Sequence, residues 1–167
     1  MAAAAPQTGP VPPHRKCGAM EVHNRLLEQY PDFRRFLGDL EHQTRARMAQ
    51  PLAAFATPIR IPLVVHVVWR TQNERISKAQ VDSQVAALNR DYRARNDDKS
   101  NTPVIWSGLV TDAFFEFALA TQDPNGNPTD GVVYAQTQTV AFGTDDAVKS
   151  SRTGGADPWP SDKYLNL

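Results

Sequence analysis

Ile59-Arg-Ile-Pro-Leu-Val-Val-His-Val-Val-Trp-Arg70 is the stretch on which the fold turns. It is rich in β-branched residues, and apolar side chains occupy both sets of alternating positions, so neither face is marked for water. That is the pattern of a central strand covered on both sides. Pro62 and His66 interrupt the run, which is far too short to cross a bilayer, and no membrane association is expected.

The segment that follows predicts a helix with a well-marked start. Ser77 and Gln80 stand three apart as a capping box, and Ile76 and Val81 occupy the positions of a hydrophobic staple. Val81, Val85, Leu88 and Tyr92 then recur on one face, while Lys78, Asp82, Gln84, Arg90 and Asp91 form its polar side, as ordinary helix packing explains. Beyond the polar stretch from Asn96 to Pro103, Phe114 to Ala120 reads as a second strand and Val132 to Thr137 as a third. Asp123-Pro-Asn-Gly-Asn-Pro-Thr-Asp-Gly131 between them is dense in turn formers and predicts a hairpin or near-hairpin. Thr144 to Trp159 reads as a surface loop with one helical turn near Asp145 to Ser150. Tyr164-Leu-Asn-Leu167 has strand character with no turn, cap or polar tail after it, so the expectation is a domain incomplete at its carboxy end.

Upstream, Val22, Leu26, Leu27 and Tyr30 lie at helical spacing, and Pro31 restarts a helix carrying Phe33, Phe36, Leu37 and Leu40. The opposite faces mix Arg34, Arg35, Arg45 and Arg47 with Glu28, Asp32, Asp39 and Glu41, which reads as a solvated surface. Residues 49–58 form a connector. The Ala- and Pro-rich start lacks the apolar groups that would repay ordering, so residues 1–13 are expected to be a disordered tail. That start has no basic stretch followed by an apolar one and is no recognisable secretory signal. The fold class expected is α/β of the α+β type: two short helices between about Met20 and Arg47, then strands with a helix after the first of them.

Lys+Arg and Asp+Glu both number 18, so no net field draws a polyanion, and nucleic acid is not expected as a partner. No phosphate-cradling glycine loop occurs. The four histidines, His14, His23, His42 and His66, include no pair one helical turn apart with a Glu between them, the economical zinc arrangement. His66, inside the central strand, reads as a core histidine with one hydrogen bond. Glu116, Asp130, Asp145 and Asp146 are not paired across any cleft that the sequence defines, and Asp145 and Asp146 read as a helix start. No catalytic residue is therefore assigned. Cys17 is the only cysteine, which excludes an internal disulfide. It follows His14-Arg15-Lys16 and precedes Gly18. The positive charge favours thiolate, the form that binds zinc or attacks an electrophile.

Several blocks in order resemble the front of the pappalysin family of zinc metalloendopeptidases. They are Cys17-Gly-Ala-Met-Glu-Val-His-Asn-Arg-Leu-Leu27, Ile61-Pro-Leu-Val-Val-His-Val-Val-Trp69 and Ile76-Ser-Lys-Ala-Gln-Val-Asp-Ser-Gln-Val-Ala-Ala-Leu-Asn-Arg-Asp-Tyr92, followed by Phe117-Ala-Leu-Ala120, Phe142-Gly-Thr-Asp-Asp-Ala-Val-Lys149 and Trp159-Pro-Ser-Asp-Lys-Tyr-Leu-Asn166. The resemblance implies a prosegment over about 14–57 and, over 58–167, the upper half of a metzincin-like domain, with a twisted mixed sheet and a backing helix. In that family the zinc helix, His-Glu-x-x-His-x-x-Gly-x-x-His, follows the last strand seen here and is absent from this sequence. The expectation is a partial or truncated, secreted metalloendopeptidase precursor, inactive alone. Zinc, a peptide or protein substrate and the missing downstream half of the domain belong to the complete protein. The family also implies a prosegment cysteine that ligates the catalytic zinc and displaces its water. Two readings of Cys17 stand at this point, that zinc switch and an idle tail thiol. An alternative for the whole chain is a non-enzymatic module that binds or inhibits a related full-length protease through Cys17.

Overall fold

The computed structural model describes residues 18–49 and 57–167. The chain divides into two compact units, Met1–Gln50 and Pro51–Leu167.

In the first unit, α1 (Ala19–Gln29) and α2 (Pro31–Met48) are two helices separated at Tyr30. Pro31 opens α2 because its fixed φ suits the first helical turn, where its missing N–H costs nothing. The charges pair along the exposed surface, Arg35 with Asp32 at 2.8 Å and Arg45 with Glu41, as a solvated face should. His23 packs edge-on against Phe33, ring centroids 6.0 Å apart.

The second unit is built on β1 (Ile59–Trp69), which pairs in parallel with β2 (Phe115–Leu119), β3 (Val132–Gln136) and the short β4 (Leu165–Asn166). The α/β class is the one found, and every ladder among the described residues is parallel. Leu63 and Val64 are both fully buried. Adjacent residues of a strand point to opposite faces, so β1 is covered on both sides at its middle.

The expected hairpin between the second and third strands does not form, since each pairs with β1 instead. Backbone groups identify the edges. Ala120 N–H donates to the Leu63 carbonyl and Val65 N–H to the Gly131 carbonyl, whereas Val64 accepts from Leu167 and His66 N–H donates to the Leu167 carbonyl. Residues two apart in a strand present their backbone groups to the same edge. β2 and β3 therefore follow one another along one edge of β1, and β4 takes the other. The turn-forming residues make a smaller excursion between them. Gln122 bridges Pro128 antiparallel, Asp123 N–H donates to the Asn127 carbonyl, and Gly126 N–H returns to the Asp123 carbonyl. Gly131 closes it at φ +75, where a Cβ would lie 2.8 Å from Ala120 N and from Leu119 Cβ. A side chain there would force apart the end of β2 and the start of β3.

Helix α3 (Lys78–Tyr92) covers the face of the sheet that carries Val65, Val67 and Trp69. The Ser77 and Gln80 capping box forms in full. Gln80 N–H donates to Ser77 Oγ at 3.2 Å, and Ser77 N–H donates to Gln80 Oε1 at 2.8 Å. Val81 is buried with Val67 and Val132, and Val65, Trp69, Val85, Leu119 and Tyr134 pack around them. Tyr92 completes the expected stripe, edge-on to Phe117 with centroids 4.9 Å apart.

Val104–Ser107, for which the sequence predicts no element, is a short helix, α4. The turn near Asp145 is a 3-10 turn, Ala147–Lys149, followed by another at Ser151–Thr153. Asp145 accepts the Ala147 N–H and Asp146 pairs with Lys149 at 2.6 Å, so the two carboxylates do mark a helical start. Gly155 closes this loop, because a Cβ there would collide with the Val148 backbone.

Candidate functional site

His66 lies on the β1 face opposite α3, where β4 and the preceding loop meet the strand. Its Nε2 is 2.9 Å from Asn166 Oδ1. The Asn166 amide is oriented by groups whose roles cannot change. Trp159 N–H donates to Oδ1 at 2.8 Å, and Nδ2 donates to the Trp159 carbonyl at 3.0 Å. Oδ1 is therefore an acceptor and His66 Nε2 carries a proton. His66 Nδ1 is buried without a hydrogen-bond partner among the described residues. Trp159 stands edge-on to His66 at 6.5 Å and to Tyr164 at 4.9 Å, and Tyr164 OH donates to the Gln122 carbonyl at 3.1 Å. The cluster ties β4 and the 159–164 loop to the 120–131 excursion. It presents a histidine whose protonated nitrogen is already engaged, so it serves as a structural node.

A second node fixes α3 to the sheet. Asn89 accepts the Phe117 N–H at 2.7 Å and donates to the Phe117 carbonyl at 2.9 Å. Phe117 lies at a β2 position whose backbone faces away from β1, so the Asn89 amide caps the outer edge of β2 as a neighbouring strand would. Where the chain enters β2, Arg93 Nε donates to both oxygens of Asp112 at 2.9 and 3.0 Å, and Asp112 Oδ1 also accepts the Phe114 N–H at 2.7 Å. Burial raises the Asp112 pKa, but the Phe114 N–H and the Arg93 guanidinium outweigh it and hold the carboxyl below its usual value. Asp123 is likewise held down, first by the Asn127 side chain and then by backbone N–H groups of the same turn, with burial opposing. These shifts accompany local hydrogen bonds within turns and loop entries, not a shared cleft.

Of the residues singled out in the sequence, Cys17 and His14 lie outside the described residues, as does the expected tail over 1–13. His23 and His42 lie on α1 and α2, and His66 on β1. Among the described residues no three His, Cys, Asp or Glu side chains stand close enough together to hold a metal ion. Glu116 is exposed, and Asp130 accepts the Val132 N–H at 3.1 Å. Among the described residues no helix is long and apolar enough to cross a membrane.

No protein-family model matches the chain, and no curated protein does. Solved structures do. A mutant of promirolysin from Tannerella forsythia matches over 91% of this chain at 37% sequence identity, with a TM-score of 0.75. The chain is similar to promirolysin. Mature mirolysin of the same organism, in complex with a cleaved peptide, matches over 67% of the chain at 43% identity and a TM-score of 0.65. Mirolysin in complex with a compound matches over 66% at 44% identity and a TM-score of 0.64. The chain spans 49% of promirolysin and 42% of each mirolysin chain, about half the length of the proteins it resembles. Similarity at this identity over nearly the whole of the present chain carries the arrangement of strands and helices with it.

Proposed function

We propose that this chain is the prosegment and first half of the catalytic domain of a secreted zinc metalloendopeptidase of the pappalysin type. The observation that carries the reading is the difference in coverage between the two forms of one relative. The precursor matches 91% of the chain and the mature protein 67%. The smaller share is about the size of the second compact unit, and the remainder is about that of α1 and α2 with their flanks. A prosegment followed by part of a mature domain accounts for both figures. The ordered blocks of pappalysin-like sequence support the same reading.

In the complete protein, bound zinc would supply a water activated for attack on a peptide carbonyl. The part in hand supplies scaffold. β1 and α3 form the core, Asn89 fixes the helix to the sheet, and Asn166 holds the last loop against β1. The zinc-helix pattern of that family does not occur in this sequence, and on this proposal the chain is inactive by itself. Cys17 is the residue proposed to reach that zinc and hold the precursor latent as a thiolate ligand. Peptides or proteins are the substrates, and a bound cleaved peptide in mature mirolysin agrees with that.

The test extends this chain with the part of promirolysin that it does not span. The expected product folds, binds one zinc and stays latent towards a peptide substrate until the prosegment is removed. Cys17→Ala in the same protein raises activity before removal. A folded extended chain that binds no zinc contradicts the proposal. Zinc and activity with latency unchanged by Cys17→Ala remove the switch alone.

A further inference from the structure

We draw no further inference here: the strongest candidate, the exposed apolar ridge of Val104, Ile105 and Trp106 on α4 with Leu109 just after it, beside the open cavity at Asp97 and Lys99, is an unpartnered face, and nothing in the structure shows what covers it.

Discussion

Asn89 and Asn166 perform one task at two places in the sheet. Each side-chain amide satisfies both the N–H and the carbonyl of a single residue, Phe117 in one case and Trp159 in the other. Asn89→Ala removes two hydrogen bonds and leaves half-buried backbone groups unpaired, so it should cost about 2 kcal/mol in urea unfolding with an unchanged fold. Asn89→Asp keeps the acceptor but sets a carboxylate oxygen against the Phe117 carbonyl, and should destabilise at least as much as alanine at neutral pH. Equal stability of all three variants would contradict the assigned role. Neither asparagine was legible in the sequence. Asn there signals turns and caps, and its partners lie 28 positions away for Asn89 and, for His66 with Asn166, 100 positions away. Asp112 sets an acid limit on the fold. Its carboxyl is held below the ordinary value in the folded chain, so its ionised form stabilises the fold above about pH 4. That contribution is lost as the pH falls through the folded value. Asp112→Asn should lower stability at neutral pH and flatten the decline on acidification. An unaltered pH profile in denaturant titrations would show that Arg93 and the Phe114 N–H do not depend on the charge.

At the scale of elements, the sequence was most legible where the signal is local. The Ser77 and Gln80 box, the restart at Pro31 and the strand character of Ile59 to Trp69 all depend on neighbours within a few residues, and all three appear as read. Ser77→Ala should cost about 1 kcal/mol in thermal or urea unfolding, the usual loss for a side-chain cap. The hairpin was misread because turn chemistry says where a chain reverses but not which strand it then pairs with. The reversal occurs within Gln122 to Pro128, and β3 resumes along the same edge of β1 that β2 has left. Gly131 makes that return possible. Gly131→Ala should destabilise the protein by more than about 1 kcal/mol, since it combines a left-handed backbone with a 2.8 Å approach to Ala120. A neutral substitution would mean that β2 and β3 do not abut there. Helix α4 escaped notice because four residues carry too little periodicity to separate from loop.

For the molecule as a whole, the α/β class followed from one doubly covered strand and one capped helix, because those two elements form the core. The candidate site was far less legible. His66 reads as a core histidine with one hydrogen bond; it has that bond but is only partly buried, and Cys17 lies outside the described residues. The pappalysin resemblance and the match to promirolysin over 91% of this chain point to the same kind of precursor. Under the proposed reading these 167 residues are prosegment and scaffold, with the zinc centre completed only in the longer protein. Elemental analysis of zinc per purified chain, on protein shown to be folded by circular dichroism, tests it most directly. Folded protein with far less than one zinc per chain is the expected result. One tightly held zinc per folded chain would contradict it.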